Sequence, residues 1–153
     1  MTPEQEKSYQ VLRSFRRVNR VLYHLLRKAA DDLDVTVVQI MVLHVLAEKP
    51  NIGLNELAER LQLGNSTMSG VVERLVSAGL IVRERSAEDR RSLVMRLTPE
   101  GKKKKKEAFG EGSYLVNRLS RVLEIPDKDL EHLFQTHQKI IEKLELEGDE
   151  TAL

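Results

Sequence analysis

The stretch LNELAERLQLGNSTMSGVVERLVSAGLIVRERSAEDRRSLVMRLTPEG, residues 54–101, decides the fold. Its opening places Leu54, Leu57, Ala58 and Leu61 on one side of a short helix, with Ala58 small enough for close helix contact and Gly53 with Glu56 as a weak cap. Gly64-Asn65 makes a turn, and a second helix is expected from about Ser66 to Ala78, ended by Gly79 as a left-handed cap. The inner stripe of that helix is Met68, Val71, Val72 and Leu75. Its other face, Asn65, Ser66, Thr67, Ser69, Gly70, Glu73 and Arg74, is small, polar and poor in the ion pairs that a merely solvated helix carries. Leu80 to Arg85 and the alternating Leu93 to Leu97 predict two short antiparallel strands around a polar tip, Ser86 to Ser92. Thr98 then caps, and Pro99 opens, a further helix.

Two short helices joined by a glycine turn and followed at once by a hairpin describe a winged helix-turn-helix. The major groove, about 12 Å wide, admits one helix, which must present short polar side chains and be braced from behind. Residues 54–61 would brace and residues 66–78 would read. Gly70 on the outer face costs the helix roughly 0.5–1 kcal/mol relative to alanine, a cost that close approach of backbone to DNA would offset. At the hairpin tip, Arg91 is suited to a narrow minor groove, with the Asp89 carboxylate holding its guanidinium extended and Arg90 meeting phosphate.

The flanks read as a helical frame. From Tyr9 to Leu33, apolar residues recur at helical spacing on more than one stripe (Leu12, Phe15, Leu22, Leu26 and Ala29, with Val11, Val18 and Leu25 alongside), which invites a second subunit. Thr36 with Gln39 forms a capping box, so another helix starts near Val37, and Lys49-Pro50 stops it. Beyond Pro99 one helix is expected as far as Pro126, then a last one through Leu130, Leu133, Phe134, His137, Ile141 and Leu144. The expectation is a mainly α chain with a small β-wing, forming one domain over 1–147. Residues 36–98 would be the winged helix-turn-helix DNA-binding head, 1–35 and 99–147 the dimerisation helices, and 148–153 a frayed tail.

Composition agrees and excludes much. Of 153 residues 41% are hydrophobic but only 4% aromatic, with no tryptophan, so leucine, valine and isoleucine must fill the core. There is no cysteine, which removes disulfides, thiolate zinc sites and thiol-based peroxide sensing. The polar start, MTPEQEKSYQ, and the lack of a spanning apolar run point to a soluble, cytoplasmic protein with no membrane partner. Net charge is only +1, yet its placement is uneven: residues 66–106 hold 11 basic against 5 acidic side chains, and residues 107–153 hold 5 against 11. A basic middle beside an acidic end suits phosphate contact by one region alone.

No glycine-rich phosphate loop, nucleophile motif or convergent histidine and carboxylate set is present, so no enzymatic activity, catalytic residue or cofactor is expected. His24, His44, His132 and His137 lack metal-ligand spacing, and His44, among Met41, Val42, Leu43 and Val45, reads as a satisfied helix histidine.

Taken in order, Glu56-Leu57-Ala58, Leu75, Gly79-Leu80-Ile81, Arg83, Asp89-x-Arg91 and Leu97-Thr98-Pro99-x-Gly101 resemble the MarR family of bacterial regulators. The resemblance implies a homodimer whose terminal helices interlock, two winged heads on a pseudo-palindromic operator in double-stranded DNA, and a mostly repressive role. It also implies Asp89 and Arg91 as the wing pair, Arg90 as a backbone contact, and Asn65, Ser66, Thr67, Ser69 and Arg74 as helix contacts. A small lipophilic or phenolic effector is implied between the dimer helices and the head, with Tyr9, Arg16, Tyr23 and Met41 as candidates to line its pocket. Met41, Met68 and Met95 suit either that pocket or the core. Gly70 departs from members with a large side chain there, and the run Lys102 to Lys106 places at least one lysine where relatives keep an apolar residue. The rival class is a winged-helix protein-interaction module that binds no operator.

Overall fold

The computed structural model describes residues 1–145. A long helix, α1 (Pro3–Asp32), is followed by α2 (Val37–Glu48), α3 (Leu54–Arg60) and α4 (Asn65–Ser77). Then come strands β1 (Ile81–Arg85) and β2 (Leu93–Leu97), α5 (Pro99–Phe109), α6 (Tyr114–Leu119), a 3₁₀ turn (Ser120–Glu124) and α7 (Asp127–Leu144). The predicted frayed tail, 148–153, lies outside the described residues.

Local chemistry sets most boundaries. Thr36 and Gln39 form the reciprocal capping box that starts α2: the Thr36 amide donates to Gln39 Oε1 at 2.9 Å, and the Gln39 amide donates to Thr36 Oγ1 at 3.2 Å. The same device at Thr2 and Gln5 starts α1 earlier than the apolar periodicity alone suggested. Gly79, at φ +73°, ends α4 in the left-handed region. The strands pair antiparallel with Ile81 opposite Leu97 and Arg85 opposite Leu93. Ile52 adds a single bridge to Met95, giving the wing a third edge.

The single helix expected between Pro99 and Pro126 is instead broken. Gly110 leaves α5 with extended backbone, Gly112 turns at φ +79°, and the Ser113 hydroxyl accepts from the Val116 amide at 3.3 Å to start α6. Two glycines and a serine within four residues outcompete helix continuation.

The main core fills the wedge between α2, α3, α4 and the sheet, where Leu43, Leu57, Met68 and Leu75 are wholly buried beside Val42, Leu46, Ile81 and Met95. A smaller cluster joins Ala29 and Ala30 of α1, Ile40 of α2, Ala108 of α5 and Leu115 of α6. Helix α2 feeds both clusters, which explains why it is apolar around its whole circumference.

The segment Leu97-Thr98-Pro99-Glu100-Gly101 is a lock between wing and reading helix. Thr98 Oγ1 donates to the Gly79 carbonyl at 2.6 Å and accepts from the Gly101 amide at 3.0 Å, while the Thr98 amide donates to the Leu80 carbonyl at 3.1 Å. A Cβ on residue 101 would lie 1.9 Å from the Leu80 carbonyl oxygen, so only glycine fits.

Candidate nucleic-acid interface

Helix α4 buries Met68, Val71, Val72 and Leu75 against the head core. At about 100° per residue, the line diametrically opposite runs through Ser66, Gly70, Glu73 and Ser77. Ser66, Thr67 and Arg74 are exposed, Ser69 and Gly70 half-exposed, and a Cβ on residue 70 would meet nothing within 4 Å. This face is therefore open, and Gly70 is not demanded by any packing among the described residues.

Asn65 belongs to α4 rather than to the turn before it, because Gly64 is the N-cap. Gly64 has no side chain to cap with; instead Asn65 Nδ2 donates to Asn55 Oδ1 of α3 at 2.9 Å. Glu56, expected to cap α3, does not. Its carboxylate accepts from Lys49 Nζ at 2.5 Å and from Arg60 at 3.1 Å. The Lys49 hydrogen bond holds the Glu56 carboxyl below its ordinary range against the opposing effect of burial, with Arg60 adding to the lowering.

The wing tip is built by its own polar groups. Asp89 Oδ1 accepts from the Arg91 backbone amide at 3.0 Å, and Oδ2 accepts from the Ser92 hydroxyl at 3.2 Å. The expected pairing of the Asp89 carboxylate with the Arg91 guanidinium is absent, because a carboxylate two residues back closes an Asx turn on the nearer amide first. Arg85 reaches around the tip to donate to the Arg90 carbonyl at 2.8 Å. The guanidinium groups of Arg90 and Arg91 are exposed and pair with no carboxylate among the described residues. Lower in the hairpin, Arg96 clasps Glu84 diagonally through contacts of 2.6 and 3.1 Å, a hydrogen-bonded pair that lowers the Glu84 pKa and raises that of Arg96. The wing thus pairs Arg96 with Glu84 within the hairpin and leaves the two tip cations, Arg90 and Arg91, outward.

Tyr9, Arg16 and Tyr23 are seven residues apart on one exposed stripe of α1, and Met41 is half-buried on α2. None of these four lines either of the two grooves beside α1. Met68 and Met95 are core residues of the head. Two grooves do exist. One of about 570 Å³ lies between α1 and α6, with His24, Lys28, Asp32, Tyr114 and Arg118 on its walls and Lys28 Nζ 5.1 Å from the Tyr114 ring centre. The other, of about 480 Å³, lies between α1 and α7 and is mostly apolar, with Leu12, Phe15 and Ile140 in its walls.

His44 is only half satisfied: Nε2 is 3.3 Å from Glu48, the ring stacks on Phe109 at 4.6 Å, and Nδ1 is buried with no partner. No cluster of three or more metal-binding side chains occurs among the described residues. In the lysine run, Lys104 Nζ donates to the Leu33 carbonyl at 3.1 Å, supplying a cation to the end of α1, whose last turn has none. Lys102, Lys103 and Lys106 are exposed. The contacts of Asn55 with Asn65 and of Thr98 with Gly79 are not legible in the sequence, since no periodicity links positions 10 or 19 residues apart.

The profile of the MarR family matches residues 35–93. An uncharacterized HTH-type transcriptional regulator of Bacillus subtilis (strain 168), YfiV, is 30% identical over 96 residues, covering 63% of this chain and 60% of that protein. The organic hydroperoxide resistance transcriptional regulator of the same organism is 35% identical over 71 residues, 46% of this chain and 48% of that protein. The chain thus spans from about half to three-fifths of the length of these relatives. Among solved structures, CouR from Rhodococcus jostii RHA1 bound to p-coumaroyl-CoA superposes with a TM-score of 0.70 at 26% identity, covering 82% of this chain and 87% of that one. No helix of the described residues is long and apolar enough to cross a membrane.

Proposed function

The chain belongs to the MarR family, and from that premise we propose that it is a DNA-binding transcriptional repressor. Residues 36–98 form the reading head, and residues 1–35 with the helices from 99 onward form the dimerisation frame. The homodimer sets α4 of each head into successive major grooves of a pseudo-palindromic operator, and the wing places Arg91 in the flanking minor groove, with Arg90 on phosphate. The observation that carries this reading is the open outer face of α4 beside a wing tip whose two arginines have no acidic partner among the described residues. Lower in the same hairpin Arg96 is taken up by Glu84, so the cations left free are at the tip that would reach DNA.

The test is a titration of the protein against DNA from upstream of its own gene at several salt concentrations. Several phosphates neutralised per head make log K fall steeply with log[salt]. Arg91→Ala should weaken binding by about 1–3 kcal/mol with the fold unchanged. A flat salt response would favour a protein-interaction module instead.

The effector of this regulator is a small lipophilic or phenolic anion. Its site is the α1–α6 groove, where Lys28 and Arg118 supply charge and Tyr114 a ring face, rather than the stripe of Tyr9, Arg16 and Tyr23. The CouR structure, with its aromatic acyl-CoA, supports that class of ligand. Thiol chemistry is closed to this chain, which has no cysteine.

A further inference from the structure

We propose that Asn55, which lies outside the reading helix, positions Asn65 to read an adenine in each half-site. The inference rests on the DNA-reading function above. It starts from the missing cap: with glycine at position 64, nothing on the N-cap itself fixes the first turn of α4. The contact that does reach this turn comes from α3, where Asn55 Oδ1 accepts one Nδ2 hydrogen of Asn65 at 2.9 Å.

A carboxamide carries two N–H donors and one oxygen acceptor. The bond to Asn55 uses one donor and leaves Asn65 with one N–H and its oxygen. That remaining pair is what adenine requires in the major groove, where N7 accepts and the N6 amine donates. Guanine presents two acceptors at the same edge and would need both amide hydrogens. The direction of the Asn55–Asn65 bond therefore carries sequence information. With Asn55 as acceptor, Asn65 suits adenine; with Asn55 as donor, the Asn65 oxygen would be occupied and guanine favoured.

Position supports the same assignment. Asn65 is the first residue of α4 and exposed, at the end of a recognition helix that approaches base edges. Asn55 is in the first turn of the bracing helix and needs no contact with DNA. Holding the Asn65 rotamer before binding reduces the side-chain entropy lost on contact. Both side chains are exposed, so their bond contributes little to the fold and its loss should leave thermal unfolding unchanged.

Binding sites selected from a randomised duplex pool by the intact protein test this directly, with Asn55→Ala, Asn55→Asp, Asn65→Ala and the double alanine variant in parallel. We expect one adenine per half-site in the wild-type consensus, with its preference abolished by Asn65→Ala. Asn55→Ala should reduce that preference by about three- to tenfold, the worth of one neutral hydrogen bond, and should add nothing in the Asn65→Ala background. Asn55→Asp keeps an acceptor and should retain the preference while lowering affinity for all sequences alike. Full adenine preference in Asn55→Ala, a guanine at the position lost in Asn65→Ala, or an Asn55→Ala effect that persists without Asn65 would overturn the assignment. A wild-type protein that enriches no sequence at all would instead overturn the DNA-reading function itself.

Discussion

In the winged head, Leu43, Leu57, Met68 and Leu75 expose nothing, and the wedge closes without help from outside the chain. Along the outer helices the opposite holds. Val18 and Tyr23 of α1 stand 57% and 54% exposed, Leu123 of the 3₁₀ turn 72%, and Phe134 of α7 63%. Exposed apolar side chains on adjoining elements are the kind of surface that marks an interaction site. The head is a finished core, whereas the frame is half of one, and the proposed dimer supplies the other half. In the proposed dimer, a rigid reader on an interlocked frame would fix the distance between two heads, which recognition of a two-fold site requires.

The contrast is open to attack from its strongest side first. Leu75→Ala in the closed core should cost about 2–5 kcal/mol in denaturant unfolding, and a loss below 1 kcal/mol would mean that the wedge is looser than its burial indicates. Phe134→Lys should leave the head folded but weaken self-association by about 2 kcal/mol or more, read as monomer in sedimentation at micromolar protein. An unchanged dimer would place the interface elsewhere.

Gly70→Ala sharpens the division between stability and function. With open space around the new methyl group, the helix should gain roughly 0.5–1 kcal/mol, seen as a higher unfolding midpoint, while DNA affinity falls if backbone approaches the groove there. Gain in both would leave the glycine without a functional reason.

The smallest effect is electrostatic. The Glu56 carboxyl is held below its ordinary range when folded, so its contribution is present above the unfolded pKa and is lost as pH falls through the lowered folded value. Because the side chain is over a third exposed, Glu56→Gln should cost under about 1 kcal/mol at neutral pH. The gap to wild type should close in acid, and one that widens would reverse the sign of the linkage.

Much of this was readable one turn at a time. Thr36 with Gln39, Gly79 and Thr98-Pro99 each announce a boundary through bonds to neighbours three or four residues away, and the alternation at 93–97 matches the pleat of a paired strand. The single helix expected up to Pro126 departs from the structure at Gly110 to Ser113, where two glycines and a serine end α5 and start α6. At the candidate site the outer face of α4 was visible as a polar stripe. The Asp89 hydrogen bonds were not, since spacing says that a carboxylate is near an arginine but not which of its groups it holds.

The sequence by itself determined the order of elements as far as α5, the caps at Thr36 and Thr98, and the inner stripe of α4, since these follow from interactions within a few residues. Only the tertiary structure decided that Asn55 meets Asn65, that Thr98 and Gly101 clasp the turn after α4, and that Lys104 closes the end of α1. Such contacts depend on where packed helices bring distant residues together, and side-chain volume and backbone clearance set that, not periodicity.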